Sequence, residues 1–215
     1  MGISNALTTQ PVRTLLALLG VVSFMGMPYS VLMPIFADDI LYGGARGLGI
    51  LMGFSGLGAL MGAVTLATRQ GVRGLGTWVM FASGGFGVSL ILFSISRIFW
   101  LSALLLLPVG FGMMVQLASS NTLIQSMVPD RLRGRVMAVY SMMFMGMAPF
   151  GALFAGVLAN RLGAPITVAL GGAVCILGAL VFRTQLPQLR AEGRQLILAQ
   201  VTGSGDAANN EAPTS

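Results

Sequence analysis

Side chains able to do covalent or metal chemistry are scarce in this sequence of 215 residues. It contains no histidine and one cysteine, Cys175, which lies inside an apolar run. A single cysteine excludes a disulfide within the chain and any Cys-based metal cluster. Gly53-Phe54-Ser55-Gly56 has the G-x-S-G pattern of a serine nucleophile in a membrane helix, but such a serine needs a histidine as general base. We therefore predict no enzymatic activity, no bound metal and no cofactor.

A second kind of chemistry, reversible hydrogen bonding to a small molecule, is offered by polar side chains in one otherwise apolar stretch. Gln116 and Ser120 share a helix face at a spacing of four residues, as do Asn121 and Gln125. Polar groups at lipid depth must face protein or a water-filled cavity. We expect one pair to line a pathway and the other to join neighbouring helices, with Gln116 in contact with a substrate.

The elements that position these side chains must be membrane helices. The sequence is 55% hydrophobic and 8% charged, with a mean hydropathy of +0.87, whereas soluble domains carry about 25% charged residues. A membrane core about 30 Å thick requires about 20 apolar residues in a helix. Six runs meet this requirement: Val12–Phe36, Gly47–Thr68, Leu75–Ile95, Ile98–Met127, Val136–Ala159 and Pro165–Val181.

The distribution of charge predicts how these spans are oriented. All twelve basic residues are arginines, and they separate the apolar runs rather than forming a patch, which argues against nucleic acid as a partner. With six alternating spans, nine arginines fall on one side and Arg46, Arg97 and Arg161 on the other. By the positive-inside rule the larger group is cytoplasmic. We expect a multi-pass protein of the cell membrane, with the lipid bilayer as its partner and both termini in the cytoplasm.

The chain divides into three parts by composition. We assign residues 1–11 to a cytoplasmic N-terminal segment and 12–182 to the six-helix transmembrane domain. Residues 183–215 form a polar cytoplasmic tail, whose end is expected to be disordered because it has nothing apolar to bury.

An internal similarity predicts how the six spans are arranged. Leu66–Gly71 and Leu158–Gly163 end the second and fifth spans and are identical at four of six positions. Because they lie three spans apart, they end on opposite faces, as two inverted three-helix repeats require. The predicted fold is therefore all-α, with helices one to three related to helices four to six. Chance similarity is the alternative, since Leu, Ala and Gly are abundant here.

Two loops resemble those of the major facilitator superfamily. Leu66–Arg73 is similar to its motif G-x-L-A-D-R-x-G-R-R, with Thr68 at the acidic position and Val72 at a basic one. Pro129–Ala138 resembles the loop before the eleventh helix in the branch of siderophore and macrolide exporters. The resemblance covers residues 11–182 and implies that the six spans correspond to family helices seven to twelve, the C-terminal half of a transporter. The departures in the first loop favour this half.

The resemblance implies efflux of a small-molecule substrate by alternating access. It also implies that Phe24 and Tyr29 are aromatic residues of the central path, beside the polar candidates. In the cytoplasmic loops, a role as topology determinants alone is the alternative to gating. The implied gating residues are Arg69, Gly71, Arg73, Asp130, Arg131, Arg133, Gly134 and Arg135.

Glycines in the second and fifth spans let helix backbones approach closely, so we expect these spans to pack against the rest of a transporter. The partner would be an N-terminal six-helix half or a second copy of this chain. Packing within the bundle is the alternative explanation of the glycines. A truncated inactive fragment, or an accessory membrane subunit without transport activity, is the alternative function.

Overall fold

The computed structural model describes residues 10–69, 71, 74–128 and 130–210, and the side-chain surroundings of 12–69, 71, 74–128 and 131–187. Within this part of the chain every regular element is helical, and six helices are long and apolar enough to cross a membrane. The predicted all-α architecture of six spans is confirmed.

The helix boundaries agree with the predicted runs at most ends. The first span is composite, because π-helical turns interrupt its α-helix. Its segments are Gln10–Val21 (α), Val22–Gly26 (π), Tyr29–Ile35 (α) and Phe36–Ile40 (π). The remaining helices are Gly44–Ala67, Leu75–Ile95, Phe99–Met127, Asp130–Leu162 and Ala164–Asn210.

Two helices extend beyond the apolar runs that predict them. The fifth begins at Asp130 rather than Val136, and the sixth continues to Asn210, where composition predicts a disordered end. By length and composition, a candidate membrane span of the sixth helix lies within Ala164–Pro187. Charged residues end the stretch that lipid tolerates, but they do not end the backbone hydrogen bonding of a helix. The division at residue 182 therefore does not coincide with a helix end.

Proline removes a backbone hydrogen bond, so the sequence predicts kinks at the four prolines inside the spans, and Pro28 does lie where a helix is interrupted. It follows the π-helical turn Val22–Gly26 and precedes the helix that begins at Tyr29. Proline has no N–H group to continue the ladder. By contrast, Pro34, Pro108 and Pro149 lie inside helices.

Glycines bring the backbones of the second and fourth spans into contact. A Cβ on Gly58 would overlap the carbonyl oxygen of Leu107, and one on Gly110 would overlap that of Ser55. The two contacts are reciprocal and lie on one interface. The first and fifth spans meet in a similar way, because a Cβ on Gly151 would overlap the carbonyl oxygen of Phe24.

The pattern of helix contacts has the symmetry of the predicted repeat. Exchanging helices one to three with four to six converts the second-fourth contact into the fifth-first contact, and both are present. The same exchange maps the third-sixth contact onto itself. There, a Cβ on Gly87 would lie 2.5 Å from the carbonyl oxygen of Gly172, and a Cβ on Gly172 would lie 2.5 Å from that of Gly87. The fold is therefore two inverted three-helix units, half of a major facilitator fold.

Candidate functional site

Phe86 of the third span is a point of contact for two other spans. Its ring approaches Gly26 of the first span, where an added Cβ would lie 2.6 Å from Cε1. Its Cβ approaches Gly112 of the fourth span, where the corresponding distance is 3.1 Å. The first, third and fourth spans are thus in register at this depth.

One helical turn from this contact, each of the three spans carries a buried polar side chain. Ser23 precedes Gly26 by three residues, Ser83 precedes Phe86 by three, and Gln116 follows Gly112 by four. The fourth span runs antiparallel to the other two, so all three steps lead toward the same end of the bundle. We call Ser23, Ser83 and Gln116 the buried polar layer.

The side chains of this layer have no hydrogen-bond partner within the described residues. Both the Nε2 and the Oε1 of Gln116 are unpaired, as are the hydroxyls of Ser23 and Ser83, and the three residues are 0–1% exposed. Ser119 and Ser120, farther along the fourth span, have the same character. An unpaired buried polar group costs about 1–3 kcal/mol, so native proteins contain few of them without a functional reason.

The other predicted polar pair behaves differently. Asn121 and Gln125 are half-buried, and the Nε2 of Gln125 donates to the Oδ1 of Asn121 on the same helix. Their hydrogen-bonding capacity is therefore partly used within the fourth span. The two pairs predicted from spacing therefore differ. Gln116 and Ser120 are buried without a hydrogen-bond partner, whereas Asn121 and Gln125 bond to each other.

The predicted aromatic residues are packed rather than open to a substrate-sized cavity. The hydroxyl of Tyr29 lies 3.1 Å from the Oγ of Ser55 on the second span, and its ring meets Phe86 edge-on at 6.1 Å. Phe24 packs on Phe154 of the fifth span, with ring centroids 5.5 Å apart. The cavity beside Tyr29 has a volume of about 10 Å³, which is no larger than one water molecule needs.

The loop after the second span places one of its arginines on an aromatic ring. The guanidinium of Arg69 lies 4.6 Å from the ring centroid of Trp78, near the start of the third span. Gly71 and Gly74 adopt φ values of +88° and +81°, which glycine reaches without strain. These glycines turn the chain back so that residue 69 reaches residue 78. Arg73 lies outside the described residues.

The second arginine group occupies a helix rather than a loop. Arg131, Arg133, Gly134 and Arg135 are exposed on the first two turns of the helix that begins at Asp130, whose side chain lies outside the described residues. Cations are unfavourable near the positive end of a helix dipole. Three arginines at the start of this helix therefore need another explanation, and both a role in membrane topology and contact with an anionic group would provide one.

The second and fifth spans cover little of their apolar surface within the bundle. Only 17% and 11% of the residues in their apolar windows are buried, against 39% or more in the other four spans. Gly58, Gly62 and Gly151 pack inside the bundle, as the alternative explanation of the glycines requires. Added Cβ atoms on Gly53, Gly56 and Gly156 would meet nothing within 4 Å, so these glycines lie on open faces.

Sequence reasoning identified Gln116 and Ser120 but missed Ser23 and Ser83. The available signal was serine inside an apolar run, which is ambiguous because a serine in a membrane helix commonly bonds to its own backbone. Ser94 does so, donating to the carbonyl of Ile91 at 2.7 Å.

Comparison with known families gives one match over most of the chain. A family model described as transmembrane secretion effector, of the major facilitator type, matches residues 4–199. No curated protein and no solved structure matches.

Proposed function

The chain belongs to the transmembrane secretion effector family of major facilitator transporters, and from this premise we propose that it forms the C-terminal half of a small-molecule exporter. The family and the six spans make it a multi-pass membrane transport protein. The direction of transport, the assignment to one half and the residues below are our proposals.

The observation that carries the proposal is the buried polar layer. In the conformation described, Gln116 and the two serines are buried, and their side chains have no hydrogen-bond partner within the described residues. Alternating access moves one repeat or bundle against the other around a fixed site, and the layer lies where the first and third spans of one repeat meet the fourth span of the other. We propose that opening exposes this layer, and that its amide and hydroxyl groups then bind the polar part of a largely apolar substrate.

The test is efflux from proteoliposomes that contain the chain with its complementary half. A panel of fluorescent amphipathic dyes should leave the vesicles faster than from protein-free vesicles, and Gln116→Leu should reduce that rate at least tenfold. A matched control is Gln125→Leu, which removes an amide of equal size from the self-paired position. Equal rates for Gln116→Leu and the unmodified protein would refute the assignment of the layer.

A partner half is supported by the open faces of the second and fifth spans. Lipid chains do not require glycine, whereas close approach of another helix does. Gly53 and Gly56 on the second span and Gly156 on the fifth are exposed and have no neighbour within 4 Å. We propose that these two faces pack against an N-terminal six-helix half or a second copy.

Disulfide trapping tests this interface. Cys175→Ser removes the only cysteine of the sequence, so a disulfide can form only through a cysteine that is introduced. In that background Gly56→Cys should form a disulfide with the partner half carrying a facing cysteine, or with a second copy. Leu92→Cys, exposed on the third span, is the control and should remain monomeric under oxidation. Equal trapping at both positions would indicate random collision.

The arginine groups support an orientation with both termini in the cytoplasm. Arg69 and the group at 131–135 would then gate the cytoplasmic side, with topology alone as the competing role. Reporter fusions at Gln10 and Ser215 should both give a cytoplasmic signal, and an external signal from either contradicts the orientation. The second candidate function is that of an accessory membrane subunit. Disulfide trapping with a partner, combined with no efflux from the proteoliposomes, would favour it.

A further inference from the structure

A narrow apolar groove runs along the outside of the bundle between the third and fourth spans. The third span lines it from Trp78 to Ser89 and the fourth from Pro108 to Gly112, around a volume of about 230 Å³. No side chain of the buried polar layer lines this groove, so it is separate from the proposed recognition site. The volume is below the roughly 300–1,000 Å³ of pockets for compact ligands, so a thin chain fits better than a ring system.

The groove opens on a surface of the bundle that is apolar along its length. Phe81, Gly85, Val88, Leu92 and Ile95 are exposed on the third span at helical spacing, and Phe81 is 67% exposed. A continuous apolar stripe on a membrane helix faces lipid hydrocarbon. The groove is therefore accessible from the bilayer.

Its length matches one leaflet. Eleven residues separate Trp78 from Ser89, which is a rise of about 16 Å at 1.5 Å per residue. Half of a hydrocarbon core about 30 Å thick is about 15 Å. An acyl chain lying in the groove would extend from the membrane surface at Trp78 to the bilayer centre.

A cation stands at the surface end of the groove. Arg69 is exposed, and its guanidinium lies 4.6 Å from the centroid of the Trp78 ring that lines the groove. Among the described residues it forms no ion pair, and no side chain or carbonyl accepts a hydrogen bond from its guanidinium. A guanidinium has five N–H donors and binds phosphate well. The charge thus complements an anionic headgroup positioned above an acyl chain.

We propose that this groove is a binding site for an anionic phospholipid, with one acyl chain between the third and fourth spans and the phosphate on Arg69. The proposal rests on the proposed orientation only in naming the leaflet, which is then the cytoplasmic one, where anionic lipids are enriched. It does not require transport.

The two tryptophans allow a direct measurement in the purified full chain. Trp100→Phe leaves Trp78, in the groove, as the sole fluorophore, and Trp78→Phe leaves Trp100, which is 67% exposed at the other end of the bundle. Each variant is reconstituted with phosphatidylglycerol or phosphatidylcholine that carries identical brominated acyl chains, which quench nearby tryptophan. The ratio of the two apparent binding constants measures selectivity for the anionic headgroup.

For Trp78 we expect about a fivefold preference for phosphatidylglycerol, which corresponds to about 1 kcal/mol for one cationic side chain near the headgroup. For Trp100 we expect a ratio near one. Added salt should reduce the Trp78 ratio, because an exposed ion pair is screened.

Substitutions separate the headgroup contact from the chain contact. Arg69→Gln should bring the Trp78 ratio to about one, while Arg69→Lys keeps the charge and should keep most of the preference. Gly85 lines the groove and an added Cβ there meets nothing within 4 Å, so the side chain of Gly85→Leu should occupy the groove and weaken quenching by both lipids. Gly49→Leu, at an equally open glycine on the second span, should change neither curve.

Two outcomes would overturn the proposal. Equal quenching of Trp78 by both lipids would mean that lipid there is unselective, as in an ordinary lipid annulus. Unchanged quenching in Gly85→Leu would mean that no chain occupies the groove. Because the assay needs neither substrate nor partner half, its failure would leave the exporter proposal standing, and the reverse also holds.

Discussion

The reciprocal glycine contact between the second and fourth spans predicts that adding one methyl group at this interface lowers the stability of the bundle. In Gly58→Ala, the new Cβ would overlap the carbonyl oxygen of Leu107, a closer approach than real Cβ atoms show, and would lie 3.0 Å from its Cα. Backbone cannot rotate away as a side chain can, so the helices must separate. We expect a loss of about 1–3 kcal/mol in the free energy of unfolding, as for overpacked cores.

The assay is reversible unfolding in mixed micelles with increasing sodium dodecyl sulfate, followed by tryptophan fluorescence. Gly53→Ala is the matched control, because its Cβ meets nothing within 4 Å, and it should stay within about 0.5 kcal/mol of the unmodified protein. Gly58→Ala and Gly110→Ala together should cost less than the sum of the two, since one separation of the helices relieves both overlaps. Equal stability of Gly58→Ala and Gly53→Ala would refute the close backbone approach.

Three further experiments test other contacts by the same unfolding assay. Gln116→Leu should raise the free energy of unfolding by about 1–3 kcal/mol, because it removes an unpaired buried amide, while the efflux described above falls; a loss of stability would mean that the amide is paired. Removing the hydroxyls of Tyr29 and Ser55, singly and together, should give a coupling of about 0.6 kcal/mol, typical of hydrogen bonds between membrane helices, and zero coupling would show that they do not interact. Tyr140→Phe should cost about 0.5–1.5 kcal/mol, since its hydroxyl donates to a main-chain carbonyl of the fourth span at 3.0 Å, and no change would contradict that bond.

The number of spans follows from composition because the membrane imposes one dominant requirement. Arg97 illustrates this, since a charge in mid-membrane is costly and the helix before it does end at Ile95. The arginines at 131–135 do not mark a helix end, although the predicted run begins after them at Val136. The fifth helix already begins at Asp130, because a helix continues outside the membrane wherever its backbone hydrogen bonds are satisfied. The π-helical turns of the first span leave no comparable trace in the sequence. Their packing partners are distant along the chain, since Val22–Gly26 contacts the fifth and sixth spans and Phe36–Ile40 contacts the second.

The candidate site was only partly predictable for a related reason. Polarity at lipid depth identified Gln116 and Ser120 as facing protein, and both are buried. Spacing alone assigned equal standing to Asn121 and Gln125, which satisfy one another. Ser23 and Ser83 gain their significance from the register among three helices, set by contacts around Phe86 that are distant in sequence.

The glycine pair at the centre of the third-sixth contact bears on how the protein assembles during synthesis. Gly87 lies on the third span and Gly172 on the sixth, so their reciprocal contact closes only after the sixth span has been inserted. Until then the third span presents an uncovered glycine face to lipid and to other nascent chains. Contacts between the second, third and fourth spans form earlier because they are nearer in sequence. Slow insertion of the sixth span would therefore prolong an intermediate in which the third span lacks this contact.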